Sequence, residues 1–198
     1  MVPKKKIVIL VFHPVMHKSR VNKVLLYAVE KLEGVSIRYI YDLYPDYQID
    51  IKAEQEVLLN HDIIVWQHPL YWYSSPSLLK EWIDLVLEHG FAYGKSGRAL
   101  EGKSVLSAIT SGGRRDAYGS EKGLKFSIRD LLAPFEQTVC LCRMRYLSPF
   151  VTHGTHLLKS DQIEKAAEDY VRIIEGLRDG SFSDGDLAKQ EYINDIIS

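Results

Sequence analysis

The sequence predicts a single α/β domain with a doubly wound, five-stranded parallel sheet. Short runs of apolar and largely β-branched residues, such as IVILVF at 7–12, are typical of strands that are buried on both faces. Amphipathic helical segments alternate with these runs, which implies right-handed crossovers between parallel strands. With 198 residues, of which 46% are hydrophobic, the chain is long enough to bury the core of one such domain.

Strands and helices are predicted in alternation along the chain. The strands are expected at residues 7–12, 36–41, 62–67, 105–110 and 138–142, and the fifth is expected to resume at 150–152. The helices are expected at residues 19–33, 52–59, 76–89 and 123–133, followed by a last helix that ends before Gly180. Ser19 and Ser75 are the expected N-caps of the first and third helices, Gly34 ends the first, and Asp161 with Glu164 has capping-box spacing in the last.

Five strands of this kind fit the flavodoxin-like order 2-1-3-4-5. In that order, ligands bind at the carboxyl ends of the strands, beside the switch point between the first and third strands. Residues 1–180 are assigned to this ligand-binding domain. Residues 181–198 form a polar C-terminal tail that is expected to pack on a partner subunit or to be partly disordered.

Composition excludes several classes of function. The 25 basic and 26 acidic residues give a net charge of −1, which does not favour nucleic acid as a partner. Cys140 and Cys142 alternate within the predicted fifth strand and so point to opposite faces, a poor arrangement for a disulfide or a metal site. No metal site is predicted among the histidines, and no apolar run is long enough to span a membrane. A soluble protein of the reducing cytoplasm fits these features.

Three loops lie at the predicted ligand-binding edge. The first, HPVMHKSRVN at 13–22, places Ser19, Arg20 and Asn22 at the start of a helix, where free N–H groups and the helix dipole favour a phosphate. Both GxxxxGK[ST] and GxGxxG are absent, so this is neither a Walker loop nor a dinucleotide fingerprint. Taken alone, the loop is better explained by Ser19 as a simple helix cap and His13 as a histidine at the end of a strand.

The second and third loops add an aromatic wall and a polar edge. The second, PLYWYSS at 69–75, has Tyr71, Trp72 and Tyr73 in succession, which suits a planar ring such as a flavin, although such aromatics also pack under helices. The third, TSGG at 110–113, combines two hydroxyl side chains with glycines that allow close backbone approach. A phosphorylated flavin satisfies all three loops.

These residues resemble a known family. The chain is similar to the NAD(P)H:quinone oxidoreductases of flavodoxin-like fold, and especially to the bacterial ancillary flavoproteins of glutathione-regulated potassium-efflux systems. The resemblance runs from about Lys6 to about Glu175. It is most specific in LEGVSIRYIYDLYPDYQIDIKAEQ (32–55), DIIVWQHPLYWYSSPSLLKEWIDLVLEHGFAYG (62–94) and TSGG (110–113).

The resemblance implies FMN binding by the three loops. It assigns the phosphate to Ser19, Arg20, Val21 and Asn22, with His13 nearby. The isoalloxazine is expected against Leu70, Tyr71, Trp72 and Tyr73, and its polar edge against Thr110, Ser111, Gly112 and Gly113. In such enzymes a reduced nicotinamide gives a hydride to the flavin, leaves, and is replaced by a quinone that is reduced by two electrons.

The resemblance also assigns roles to two tyrosines and implies partners. Tyr118 matches a tyrosine that stabilises charge as hydride arrives, although the histidine that accompanies it in mammalian quinone reductases is Leu124 here. Tyr93 matches a tyrosine that reaches across a dimer to cover the substrate. A homodimer is expected through residues 76–89 and 91–94, because Trp82, Phe91 and Tyr93 are aromatic residues of the kind enriched at interfaces.

The leading functional hypothesis is an FMN-dependent NAD(P)H:quinone oxidoreductase with no side-chain nucleophile. An alternative from another class is a regulatory subunit that activates a glutathione-gated potassium/proton efflux transporter at the inner face of the membrane. A reductase of azo or nitro compounds is a third alternative, because the acceptor cleft of this fold is open.

Overall fold

A parallel sheet with helices on both faces forms the centre of the computed structural model, which describes residues 3–120, 123–183, 187 and 190–197. Its strands are β1 (Ile7–Val11), β2 (Val35–Tyr39), β3 (Ile63–Pro69), β4 (Ser104–Thr110), β5 (Arg145–Tyr146) and β6 (Phe150–Thr152). They run in the order β2-β1-β3-β4-β5, and β6 also pairs with β4. The predicted flavodoxin-like order 2-1-3-4-5 is therefore confirmed.

Successive side chains of the central strands point to opposite faces of the sheet, so a hydrophobic core forms on each face. The helices are α1 (Asn22–Val29), α2 (Ile40–Leu43), α3 (Ile51–Leu59), α4 (Ser77–Val86), α5 (Ile128–Leu141) and α6 (Ser160–Asp179). On one face, residues such as Leu10 and Trp66 pack with α3, α4 and α5. On the other face, their neighbours Ile9 and Val65 pack with α1 and α6. None of the described helices is long and apolar enough to cross a membrane.

The predicted fifth strand at 138–142 is wrong. Residues 138–141 form the last turn of α5. Along this helix, Leu132, Phe135 and Val139 are buried on one side. The apolar run resembled a strand in isolation, but its buried positions continue a helical repeat of three and four residues. The edge strand consists instead of the two short pieces β5 and β6, and the second piece confirms the predicted resumption at 150–152.

Several predicted helix ends are displaced. α1 begins at Asn22, three residues after Ser19, and ends at Val29, before Gly34. α4 is capped by Pro76 instead of Ser75, and α5 begins at Ile128 behind a Ser127–Asp130 capping box. In α6 the predicted Asp161 and Glu164 box is wrong, because the side chain of Gln162 accepts a hydrogen bond from the Lys159 N–H (2.9 Å). Capping boxes therefore mark the starts of α5 and α6, whereas the N-caps of α1 and α4, Val21 and Pro76, make no side-chain cap hydrogen bond.

The described part of the C-terminal tail packs against its own chain. Tyr192 and Ile193 are buried, and the Ile193 N–H donates to the Pro149 carbonyl (3.0 Å). A short 3-10 helix covers Ile193–Ile196. The sequence instead favoured a partner subunit or disorder for this segment. Positions 184–186, 188, 189 and 198 of the predicted tail lie outside the described residues.

Candidate functional site

The three predicted loops converge at the carboxyl ends of β1, β3 and β4, around a cleft of about 550 Å³. Predicted residues from all three loops line this cleft: His13, Ser19, Arg20, Val21, Asn22, Leu70, Tyr71, Thr110 and Gly112. A volume of this size lies within the ordinary range for a small-molecule or cofactor site. The structure thus brings together nine of the residues that the sequence assigned to one ligand. The other four, Trp72, Tyr73, Ser111 and Gly113, belong to the same loops but are not among the residues that line the cleft.

A buried chain of hydrogen bonds fixes the first loop to the sheet. The Ser19 Oγ accepts from the backbone N–H of Asn22 (3.1 Å), and the Asn22 side-chain amide donates to Thr110 Oγ1 (2.9 Å). Gln67 then donates to Asn22 Oδ1 (3.2 Å) and accepts from the Tyr170 hydroxyl (3.0 Å). The start of α1 is therefore held in place by β3, β4 and α6, so the helix end that the sequence predicts as a phosphate site has a fixed position.

His13 is the second residue after β1 and lies beside the second loop. Its ring centroid is 6.5 Å from that of Tyr71, and its Nδ1 accepts a hydrogen bond from the Val15 N–H (3.2 Å). Burial lowers the pKa of His13 below its ordinary value. The neutral ring therefore carries its proton on Nε2, which makes this atom a hydrogen-bond donor.

The second loop is a tight turn that exposes its aromatic side chains. The N–H groups of Tyr71 and Ser74 each donate to the other residue's carbonyl (3.1 and 2.9 Å). Trp72 and Tyr73, between them, have positive φ angles of 49° and 63°, an arrangement that is costly for bulky residues and is often found at functional sites. Trp72 is 92% exposed. The alternative that these aromatics pack under the next helix is therefore wrong.

The third loop places Tyr118 against its glycines. Ser111 is buried, and its Oγ shares a hydrogen bond with the Tyr118 hydroxyl (2.6 Å). A Cβ on Gly113 would lie 2.8 Å from the Tyr118 ring, so only glycine allows this approach. A Cβ on Gly112 would lie 3.1 Å from His156. The two glycines therefore permit close packing of aromatic rings around the polar edge of the cleft.

Sequence reasoning missed a fourth contributor, the loop after β6. Thr155 and His156 line the cleft, as do Val15 and Lys18 from the first loop. The Thr155 N–H donates to the Ser111 carbonyl (3.0 Å), which joins this loop to the third. Its signal was present, because HGTH at 153–156 follows the predicted 150–152 strand and so emerges at the same sheet edge.

Some predicted residues lie away from the cleft or do a different job. Tyr93 is half-buried and packs on His89, with ring centroids 5.5 Å apart. Trp82 is fully buried in its own chain and donates to Glu54 (3.0 Å), so it adds nothing to a dimer surface, contrary to the expectation from its aromatic character. In the part of the chain that the structure describes, no group of three or more His, Cys, Asp and Glu is placed to hold a metal ion.

Comparison with protein families identifies the fold. A family model for the flavodoxin-like fold matches residues 5–174, which is most of the chain. The chain belongs to this flavodoxin-like family. The loops described above therefore occupy the ligand-binding edge of a flavodoxin-like sheet.

Individual relatives are similar over most of their length. The glutathione-regulated potassium-efflux system ancillary protein KefF of Enterobacter sp. (strain 638) is 45% identical over 166 residues, which are 83% of this chain and 92% of KefF. General stress protein 14 of Treponema denticola, solved in complex with FMN, is 36% identical over 87% of this chain and 99% of its own, with a TM-score of 0.83. An NADPH-quinone reductase of P. pentosaceus is 29% identical over 85% and 97%, with a TM-score of 0.77.

Proposed function

We propose that this chain is an FMN-dependent NAD(P)H:quinone oxidoreductase. The observation that carries the proposal is the convergence of a helix N-terminus, an exposed aromatic turn and a glycine-rich polar loop on one cleft. Its chemistry matches the phosphate, the planar ring and the carbonyl-rich edge of a flavin mononucleotide. Similarity to an FMN-bound protein and to an NADPH-quinone reductase supports it.

FMN would be held by all three loops. Ser19, Arg20, Val21 and Asn22 would bind its phosphate at the start of α1, as the cleft lining allows. Leu70, Tyr71, Trp72 and Tyr73 would lie along the ring, with the Nε2 proton of His13 as a further donor. Thr110, Ser111, Gly112 and Gly113 would contact its polar edge. This arrangement offers one compact anion site, which favours FMN over FAD.

Bound FMN would supply the redox chemistry, by accepting a hydride from NAD(P)H and passing two electrons to a quinone. The chain's own task is orientation and charge stabilisation. Tyr118, held by Ser111, would donate its hydroxyl proton in a hydrogen bond where negative charge develops, so it assists hydride arrival more than it holds the cofactor. The strained 71–74 turn would keep the aromatic wall in one orientation.

A second function has its own support. The 45% identity to KefF over 92% of that protein favours a role as an ancillary subunit of a potassium-efflux transporter, docked from the cytoplasmic side. The two roles are compatible in one protein. Reduction of azo or nitro compounds is a further candidate for the acceptor, since the cleft is open to solvent. A homodimer, with Tyr93 covering the partner's substrate, remains our proposal for the assembly.

Cofactor identity and turnover test the proposed function. We expect acid treatment of the purified protein to release FMN, identified by chromatography, and NAD(P)H oxidation to accelerate with small quinones. Light scattering should give about twice the chain mass of 22.7 kDa. Recovery of FAD, or no flavin after reconstitution, would overturn the cofactor assignment.

Trp72→Ala should weaken FMN binding, whereas Tyr27→Ala, which removes an exposed aromatic on α1, should not.

A further inference from the structure

The C-terminal segment 190–197 lies beyond the part of the chain that the family model matches, residues 5–174. It nevertheless packs along the open edge of the sheet. The Asn194 side chain pairs with both backbone polar atoms of Val151 in β6, accepting from the N–H (2.9 Å) and donating to the carbonyl (3.2 Å). Tyr192 is buried beside it. This segment therefore covers part of the open edge of β6, with the Asn194 side chain bonded to the backbone of that strand.

Arg115 connects this segment to the third site loop. Its guanidinium donates to both carboxylate oxygens of Asp195 (2.7 and 2.8 Å) and to Glu191 (3.0 Å). It also stacks over the Tyr192 ring, 4.6 Å from the centroid. Arg115 begins the 3-10 turn Arg115–Ala117 that leads directly into Tyr118. The two carboxylates therefore hold the Arg115 guanidinium, and with it the start of this turn, against the C-terminal segment.

A second set of contacts reaches the same tyrosine through aromatic rings. The Tyr192 ring lies 5.2 Å from the His153 ring, which in turn lies 5.9 Å from the Tyr118 ring. Tyr118 also lies close to Gly113, and its hydroxyl shares a hydrogen bond with the Ser111 hydroxyl. The half-buried Tyr118 is thus connected both to the third loop and, through His153 and Tyr192, to the C-terminal segment.

We propose that residues 190–197 act as a strap that positions Tyr118 for the reductive step, with Arg115 as the positioning residue. The proposal rests on the proposed function for its catalytic readout. A glycine-containing loop held by neighbouring groups does not have to reorganise during the reaction, and a preorganised donor stabilises developing charge better than a mobile one. The strap makes the loop's geometry depend on residues far away in the sequence.

Kinetic coupling tests whether the strap acts through Tyr118. We expect the double variant Glu191→Ala/Asp195→Ala to slow flavin reduction by NAD(P)H in stopped flow, by no more than the roughly tenfold expected for Tyr118→Phe. Combined with Tyr118→Phe, the strap substitutions should cause little further loss, because both act on one donor. Arg115→Lys should retain part of the rate. A matched control is Glu101→Ala, which removes the carboxylate from the exposed Arg98–Glu101 pair just before the amino end of β4, whereas the third loop follows the carboxyl end of that strand.

Amide hydrogen exchange gives a readout that does not depend on turnover. The double variant Glu191→Ala/Asp195→Ala should exchange its backbone amide hydrogens at residues 113–119 faster than the wild type does. The Glu101→Ala control should not. Unchanged exchange there would overturn the strap, whatever the kinetics. An undiminished rate loss in the Tyr118→Phe background would also overturn it. If wild-type flavin is not reduced by NAD(P)H, the proposed function fails and the strap loses its reductive role, while faster exchange would still establish the strap's hold on the loop.

Discussion

Two arginine–carboxylate clusters of this chain use the same chemistry at different depths. Glu54 is fully buried and accepts hydrogen bonds from Arg38, from the Tyr44 hydroxyl (2.8 Å) and from Trp82. The cluster of Arg115 with Glu191 and Asp195 lies at the rim of the site, where the Arg115 side chain is 49% exposed. The first joins β2, α3 and α4, and the second joins a loop to the tail.

Depth decides what each cluster contributes. Removing one partner from a buried pair leaves an uncompensated charge in a poorly solvated place, which strongly destabilises the fold. When one partner of a rim pair is removed, water solvates the charge that remains, so the free energy of unfolding changes little. The rim cluster can therefore control the position of a loop while contributing little to folding. The four predictions below test this contrast.

The largest expected effect is on the buried cluster. Glu54→Leu should lower the free energy of unfolding by about 3 kcal/mol, because it leaves Arg38 without its carboxylate and the hydroxyl of Tyr44 without an acceptor. Urea unfolding measures it. Adding Arg38→Leu should recover part of the loss, since it removes the unpaired charge. A loss below about 1 kcal/mol would mean that the buried pair behaves like a surface pair.

His68 extends the contrast to a buried group that has no charged partner. Its Nδ1–H donates to the Pro69 carbonyl (3.0 Å), and its Nε2 has no hydrogen-bond partner among the described residues. Burial lowers its pKa from 6.5 to about 4. As the pH falls from about 6.5 towards 4, His68 becomes protonated in the unfolded chain but stays neutral in the folded chain. The free energy of unfolding therefore falls.

The expected size of the His68 effect is about 2 kcal/mol of stability lost between pH 7 and pH 5. His68→Leu should lack this part of the pH dependence, while His13 and His153, whose pKa values burial also lowers, still contribute theirs. Urea unfolding of both proteins at the two pH values isolates His68. Equal losses in the two proteins would contradict the lowered pKa.

At the rim, the expected effect is on rate. Tyr118→Phe should slow flavin reduction roughly tenfold, near 1.4 kcal/mol, because one hydrogen-bond donor is removed from a site that is open to solvent. FMN affinity should change little. An unchanged reductive rate would reduce Tyr118 to a packing residue, and loss of FMN would make it a binding residue.

The smallest expected effect is on stability at the rim. Asp195→Ala should lower the free energy of unfolding by less than about 1 kcal/mol. The pKa of Asp195 is lowered, chiefly by its hydrogen bonds to Arg115, so its contribution is present above the ordinary carboxylate range and is lost as the pH falls through its lowered value. Added salt should shrink the difference between variant and wild type. A loss as large as that of Glu54→Leu would remove the contrast.

Much of the sheet and the site could be predicted because local patterns determine them. β1, β3 and β4 are buried along their whole length, so their apolar runs are unambiguous, and their order fixes where the loops emerge. The aromatic turn and TSGG carry their own residue signals. By contrast, β5 has only two residues, one of them Arg145, and offers no apolar pattern that competes with the end of α5.

The rim cluster had no local signal. Arg115 and Asp195 are 80 residues apart, and neither residue has a sequence neighbour that requires the contact. Charged residues in a loop and in a polar tail are ordinarily solvated, so the sequence offered no reason to pair Arg115 with the tail and left the tail to a partner subunit or to disorder. Only the three-dimensional course of the tail along β6 joins them.

The tight turn at 71–74 also gives the protein an optical property. Of the three tryptophans, Trp66 and Trp82 are sealed in the core, whereas Trp72 is 92% exposed. A water-soluble collisional quencher such as iodide would therefore quench the fluorescence of Trp72 and leave that of Trp66 and Trp82 unchanged. Because that indole lies on the turn beside the cleft, a molecule seated there would shield it, and the quenchable fraction of the fluorescence would report how often the cleft is filled.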